Sequence, residues 1–405
     1  MLRVLSLVSY LAVTATLSPY LAPVSDWPIR ISRIDSPAAP ASGQPQLSVS
    51  PRGVILSWIE RTGTQASLKF SERTANGWTT PRTAASGDNW FVNWADVPSV
   101  IRLDDGTLVA HWLQKSGSGT YAYDVRLSYS KDEGKTWAPS FTPHHDGTET
   151  EHGFASLFQM PGAGLGLVWL DGRAMKGDHG GHGGGDMSIR FAAYDRTWKQ
   201  IAATPLDQRV CECCPTSAVA TKDGVVAAFR NRSDEEIRDI HVARLVKGNW
   251  TTSSPVHNDG WRIPGCPVNG PVLSARENAV AVAWFTTRDD QPRAYAAFST
   301  DGGRTFEQPI RLDEAVSMGR VDIELLPDGS AAALYIEVVE NRTHVRVRRI
   351  TRAGNKSAPV TVAEIENARS SGYPRMALNG NELVLAWIER SGKTLGVTTA
   401  VAKLP

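Results

Sequence analysis

Val54-Ile55-Leu56-Ser57-Trp58 is an apolar run closed by an aromatic residue, and the chain repeats this pattern seven times. The later copies end at Trp112 (LVAHW), Trp169 (LGLVW), Phe229 (VVAAF), Trp284 (VAVAW), Tyr335 (AAALY) and Trp387 (LVLAW), at intervals of 51 to 60 residues. Runs this short, bounded by Gly, Asn and Asp, suit buried strands rather than core helices. A period of this length matches a four-stranded blade.

Working outward from each run gives one grammar. An inner strand precedes it (PSVIRL, ASLFQM, SAVATK, GPVLSA, VDIELL, PRMALN), joined by a turn such as DDG, KDG or PDG. A third strand with period-2 alternation follows (DVRLSYS, DIHVARL, RAYAAFS, HVRVRRI), then a short outer strand. The last unit stops after three strands, while Ile29–Ile34 (IRISRI) stands alone ahead of the first. That segment is expected to supply the missing outer strand and close the ring, removing an exposed sheet edge. The expectation is an all-β, seven-bladed β-propeller over residues 28–405; a six-bladed ring is the alternative, and it leaves one repeat without a place.

Composition narrows the function. The net charge is +1 and there is no long basic run, which excludes the electrostatic footprint of nucleic-acid binding. Residues 1–22 carry one Arg and then an apolar stretch, the pattern of a secretory signal peptide or an uncleaved anchor. The expectation is a periplasmic or secreted monomer, touching a membrane only if that segment is retained. Its four cysteines would then sit in an oxidising compartment.

Two turns have the form S-x-D-x-G-x-T-W/F: Ser130 to Trp137, with Asp132, and Ser299 to Phe306, with Asp301. These Asp-boxes are read as structural, the carboxylate accepting N–H groups of its own turn while Gly takes a positive φ. They resemble those of the sialidase/neuraminidase superfamily, the BNR-repeat proteins, and the resemblance covers nearly the whole chain, as a divergent member. It implies a glycoside hydrolase of exo-α-sialidase type acting on an acidic glycan. Such enzymes hold the substrate carboxylate with three arginines, use a Tyr–Glu pair as nucleophile and use an Asp as acid/base. The resemblance carries over to Arg230, Arg320 and Arg375, to Tyr373, and to Asp171 or Asp96. Pro28-Ile29-Arg30 reverses the family's Arg-Ile-Pro order, and seven blades exceed the family's six. A structural reading of each arginine is an ion pair around the central channel.

The grammar also sorts loops by face. One face collects HHDGTETEHGF, DGRAMKGDHGGHGGGD, VCECCP and HNDGWRIPGCPVNG, which hold all four cysteines and six of the nine histidines. Two readings stand for Cys211, Cys213, Cys214 and Cys266: one or two disulfides tying two loops, or a thiolate site for copper or zinc. His152, His179 and His182 are candidate additional ligands, although the Gly-rich stretch around the last two also reads as a solvated loop. The ligand of the face is therefore expected to be a glycan or other small molecule, a metal ion, or a protein partner.

Overall fold

The computed structural model describes residues 26–162, 164–176 and 184–405. The leader at 1–22, Asp178, His179 and His182 lie outside the described residues. Seven antiparallel sheets form. Their inner strands touch in cyclic order, from Ser42–Ser50 through Ser99–Arg102, His152–Gln159, Ser217–Thr221, Val272–Arg276, Val316–Leu325 and Arg375–Asn379 back to Ser42–Ser50. The protein is a seven-bladed β-propeller. No described helix is long and apolar enough to cross a membrane.

Ring closure follows the sequence expectation with a shorter strand. Ser32–Ile34 pairs with Thr394–Lys403, Arg33 lying opposite Ala400, and completes blade 7. Just before it, Trp27 and Ile29 are buried with Leu334, Leu385 and Trp387 of blades 6 and 7. Blade 2 departs from the grammar: it has three strands, Ser99–Arg102, Leu108–Lys115 and Tyr123–Ser130. The outer position is taken by an irregular segment containing Pro139 and Pro143 that meets the third strand at the Leu127–Phe141 bridge. Proline cannot donate to a ladder, so this edge stays irregular.

The aromatic run ends are the wedges of the core. Trp58, Trp169, Trp284, Trp387, Phe229 and Tyr335 are among the largest fully buried side chains. Their clusters lie between blades: Ile55, Leu68 and Phe70 of blade 1 meet Val100, Leu108 and Ala110 of blade 2. Consecutive small residues such as Ala331, Ala332 and Ala333, which turn to opposite faces of their strand, let neighbouring sheets on both sides close on those wedges.

Polar clasps repeat at the start of the inner strands. Asp96 accepts the Phe154 amide at 2.8 Å, Asn269 the Arg320 amide at 2.8 Å and Asp322 the Met376 amide at 2.9 Å, each reaching into the following blade or blades. Phe154 and Arg320 have φ of 51°, so the clasp holds a backbone conformation that non-glycine residues disfavour. Both Asp-boxes form as expected. Asp301 accepts Arg304 N at 2.9 Å, Thr305 N at 3.0 Å and the Thr305 hydroxyl at 2.7 Å, and Asp132 repeats the set with Lys135 and Thr136.

Candidate functional site

The loop leading into blade 4 brings three sulfurs together. Cys211 Sγ lies 3.4 Å from Cys214 Sγ and 3.8 Å from Cys213 Sγ. Cys211 and Cys214 are buried, Cys213 is half-buried, and Cys266 is exposed in the blade-5 leading loop. The Cys211, Cys213 and Cys214 sulfurs lie within 4.8 Å of one another, and Cys266 acts on the Cys213 thiol from outside that group. All four are free thiols, and among the described residues no histidine joins the sulfur group.

Below the sulfurs the loop after the second strand of blade 4 builds a shelf of guanidinium groups. Arg238 Nη1 donates to Cys211 Sγ at 3.2 Å and to Glu212 at 2.9 Å, and its Nη2 donates to Glu236 at 2.8 Å. Arg232 pairs with Glu212 and Glu236. Burial pushes the Cys211 thiol up, but hydrogen bonds from Cys213 and Cys214 and the Arg238 charge outweigh it and hold the group well below the usual thiol range. Cys266 is lowered by its bond with Cys213, against burial. Cys213, bonded to those sulfurs, and Cys214, chiefly through burial, are raised. The cluster therefore favours thiolate at its two ends.

Carboxyls beside the cluster behave in the opposite way. Burial raises Glu151 to about 8, with Asp96, Cys266 and Glu212 adding to the shift. Burial also raises Asp96 to about 7. The Tyr123 hydroxyl sits between them, 2.8 Å from Glu151 and 3.0 Å from Asp96. Neutral carboxyls avoid adding charge next to a thiolate.

The arginines expected to clamp a carboxylate are engaged with the fold. Arg230 donates to the carbonyls of Asn269, Arg238 and Phe285 and lies over Trp261 at 4.9 Å. Arg320 donates to Ala368 and Gly372 carbonyls and stacks on Trp94 at 4.7 Å. Arg375 is buried over the Tyr373 ring at 5.3 Å, near Asp322, and its Nε has no hydrogen-bond partner. The Tyr373 hydroxyl donates to the Val268 carbonyl at 2.6 Å, and the charges beside it are Arg320 and Arg375. Asp171, fully buried, accepts from Arg173 at 2.6 Å and Trp169 Nε1 at 2.9 Å, which hold it ionised against burial. Structure thus brings Arg320, Tyr373 and Arg375 together near the sulfurs, with Arg230 beneath and Asp171 apart in blade 3.

His152 lies in a second polar cluster, with Asp124, His144, Asp146, Asp171 and Arg173. The His144 and His152 rings stack at 3.8 Å with a 10° tilt. Burial lowers His144 to about 4, with the neighbouring His152 charge assisting. Burial also opposes charge on His152, yet Asp124 and Asp146 raise it to about 9. Sequence reading did not single out Asp124 or Arg238 for the face. Their only signal was position, at the face ends of the third strands of blades 2 and 4.

No family model matches the chain, and no curated protein matches it. Solved structures do. A protein of unknown function from Dyadobacter fermentans superposes with a TM-score of 0.53 at 12% identity, covering 93% of this chain and 98% of its own. The polysaccharide lyase Uly1 gives 0.53 at 11% identity, covering 90% of each chain. The phage phi92 endosialidase gives 0.52 at 9% identity, covering 94% of this chain and 70% of its own. What the chain shares with these proteins is the β-propeller fold. At these identities the likeness concerns the fold, and the chemistry of this propeller must come from its own side chains.

Proposed function

We propose that the loop face of this exported propeller is a thiolate centre that binds one copper(I) or zinc ion through Cys211, Cys213, Cys214 and Cys266. The observation that carries the reading is the sulfur spacing. A tetrahedral ion with metal–sulfur bonds of about 2.3 Å has sulfur–sulfur edges of about 3.8 Å, whereas a disulfide needs about 2.05 Å. The separations of 3.4 and 3.8 Å among Cys211, Cys213 and Cys214 suit three of the four ligand positions, and Cys266 would close in from the neighbouring loop as the fourth. Arg238 offsets part of the charge that the thiolates bring, and Cys266 at the surface gives the ion a way in. The test is elemental analysis of the purified protein together with a thiol count before and after chelation. One bound equivalent, with thiols freed by chelator, supports the centre. Two disulfides in the protein as purified, together with no metal taken up after reduction and reconstitution, overturn it.

A second reading, recognition of an acidic glycan, is favoured by a cleft on the same face. This cleft of about 450 Å³ is lined by His257, Arg288, Gln291, Arg293 and Tyr295, and also by the carboxylates of Asp259 and Asp289, the latter 3.2 Å from Arg288. Arginine forks suit a sugar carboxylate and a tyrosine ring suits a sugar face. Binding of sialylated oligosaccharides, followed by calorimetry, is expected to weaken about tenfold in Arg288→Ala, the loss of one charge-assisted bond. A fluorogenic sialoside reads hydrolysis in the same sample. Absence of both binding and turnover removes this reading and leaves the thiolate centre untouched.

A further inference from the structure

We infer that Asp124, His144 and His152 form a second, sulfur-free site for a divalent cation of the zinc class, which pins the irregular blade 2–blade 3 connection. Asp124 opens the third strand of blade 2, His144 lies in the connection and His152 opens the inner strand of blade 3. Asp124 Oδ1 lies 3.3 Å from His152 Nδ1 and 3.6 Å from His144 Nε2, and the three atoms fall within 4.8 Å of one another. All three atoms are buried and none makes a well-aligned hydrogen bond; what joins them is an Asp124–His152 ion pair at 3.3 Å and a longer Asp124–His144 approach at 3.6 Å. Buried polar atoms without well-aligned partners are rare in folded proteins, and three within 4.8 Å of one another mark a missing partner; the stacked rings would tilt apart to bring both lone pairs onto one ion.

The far sides of both rings show which atoms face the ion. His144 Nδ1 is 3.0 Å from Asp146 Oδ2, and His152 Nε2 is 3.3 Å from the same oxygen. Asp146 is itself held by the Thr148 amide at 3.1 Å and by Arg173 at 3.2 Å. A carboxylate that takes the N–H of a ligating histidine fixes its tautomer and turns the other nitrogen's lone pair to the metal. With its proton directed to Asp146, His144 points a lone pair at the Asp124 carboxylate. Lone pair against carboxylate is repulsive unless a cation lies between them. A proton on His152 answers only half of this, because His144 Nε2 still faces Asp124 without a hydrogen.

Charge agrees with the geometry. Asp124, Asp146 and Asp171 converge here against Arg173 and His152, with Arg190 further out, and a bound cation would take the place of the His152 proton. Two imidazoles and one carboxylate are borderline donors that suit zinc, with a remaining position for water. The Asp124 side chain is 21% exposed, which gives the ion access. Blade 2 lacks an outer strand at this place, so an ion joining Asp124, His144 and His152 would replace part of the missing ladder.

The test separates this site from the thiolate centre. In a variant with all four cysteines changed to Ser, zinc titration against a chromophoric chelator at pH 7.5 is expected to give one equivalent and a rise in Tm. His144→Gln or Asp124→Asn in that background is expected to weaken binding by about 100-fold or more, and Asp146→Asn by about 10- to 100-fold. Should the Ser variant fail to fold, cobalt(II) titration of the unmodified chain gives the same answer: one equivalent binds without a sulfur charge-transfer band, and His144→Gln removes it. No sulfur-free equivalent in either protein, or one that survives both ligand changes, overturns the inference.

Discussion

The Asp301 turn and the Asp146 loop use a carboxylate for the same task and differ in what they leave over. In the Asp-box the carboxylate gathers two amides and a hydroxyl of its own turn, and Ser299 caps the set by bonding both Asp301 and the Gly303 amide. Every donor is used locally. The Asp146 loop instead orients two imidazoles and leaves Asp124 Oδ1, His144 Nε2 and His152 Nδ1 within 4.8 Å of one another, joined only by ion-pair approaches of 3.3 and 3.6 Å. A closed polar set is architecture, and an open one that converges is a receptor. The same contrast separates Arg230, whose guanidinium is consumed by carbonyls, from the sulfur cluster above it.

Breaking a closed set should therefore cost stability and no ligand. Arg230→Met leaves three buried carbonyls without donors and is expected to lose about 3 to 5 kcal/mol in urea unfolding, with zinc stoichiometry unchanged. Gly134→Ala should lose about 1 to 3 kcal/mol, because φ is 76° and a Cβ would come 2.6 Å from Phe70 Cζ. Asp301→Ala is expected to cost about 1 to 2 kcal/mol, measured the same way. The smallest effect is acid-linked. Burial would raise the Asp301 carboxyl, but its turn's donors lower it to about 2 from the ordinary 3.8. The stability it contributes is present above about pH 4 and fades as pH falls toward 2, so the Asp301→Ala difference should shrink over that window. A difference that stays constant to pH 2 would remove the carboxylate from the account.

What was legible in the sequence follows the same division. The aromatic run ends define the blades because burial of a Trp or Tyr wedge is a local demand written as a pattern. Cys211, Cys213, Cys214 and Cys266 were legible as a group because the blade grammar assigns their loops to one face. The roles of Arg230 and Arg320 were not, since their partners are backbone carbonyls of other loops, which no residue type announces. Asp124 reads as the first polar residue of an ordinary strand, and only the path of the blade 2–blade 3 connection sets His144 and His152 beside it. Blade 2's missing outer strand was signalled by Pro139 and Pro143, which the repeat pattern alone passes over.

Ring closure has a consequence in time. Ser32–Ile34 is made well before its partner strand, Thr394–Lys403, with six blades between them in the chain. At roughly 5 to 20 residues per second, the segment waits on the order of 20 to 70 s with its hydrogen bonds unmade. Blade 7 is the last blade to be completed, and Trp27 and Ile29 stay without their core partners until Leu385 and Trp387 have been made.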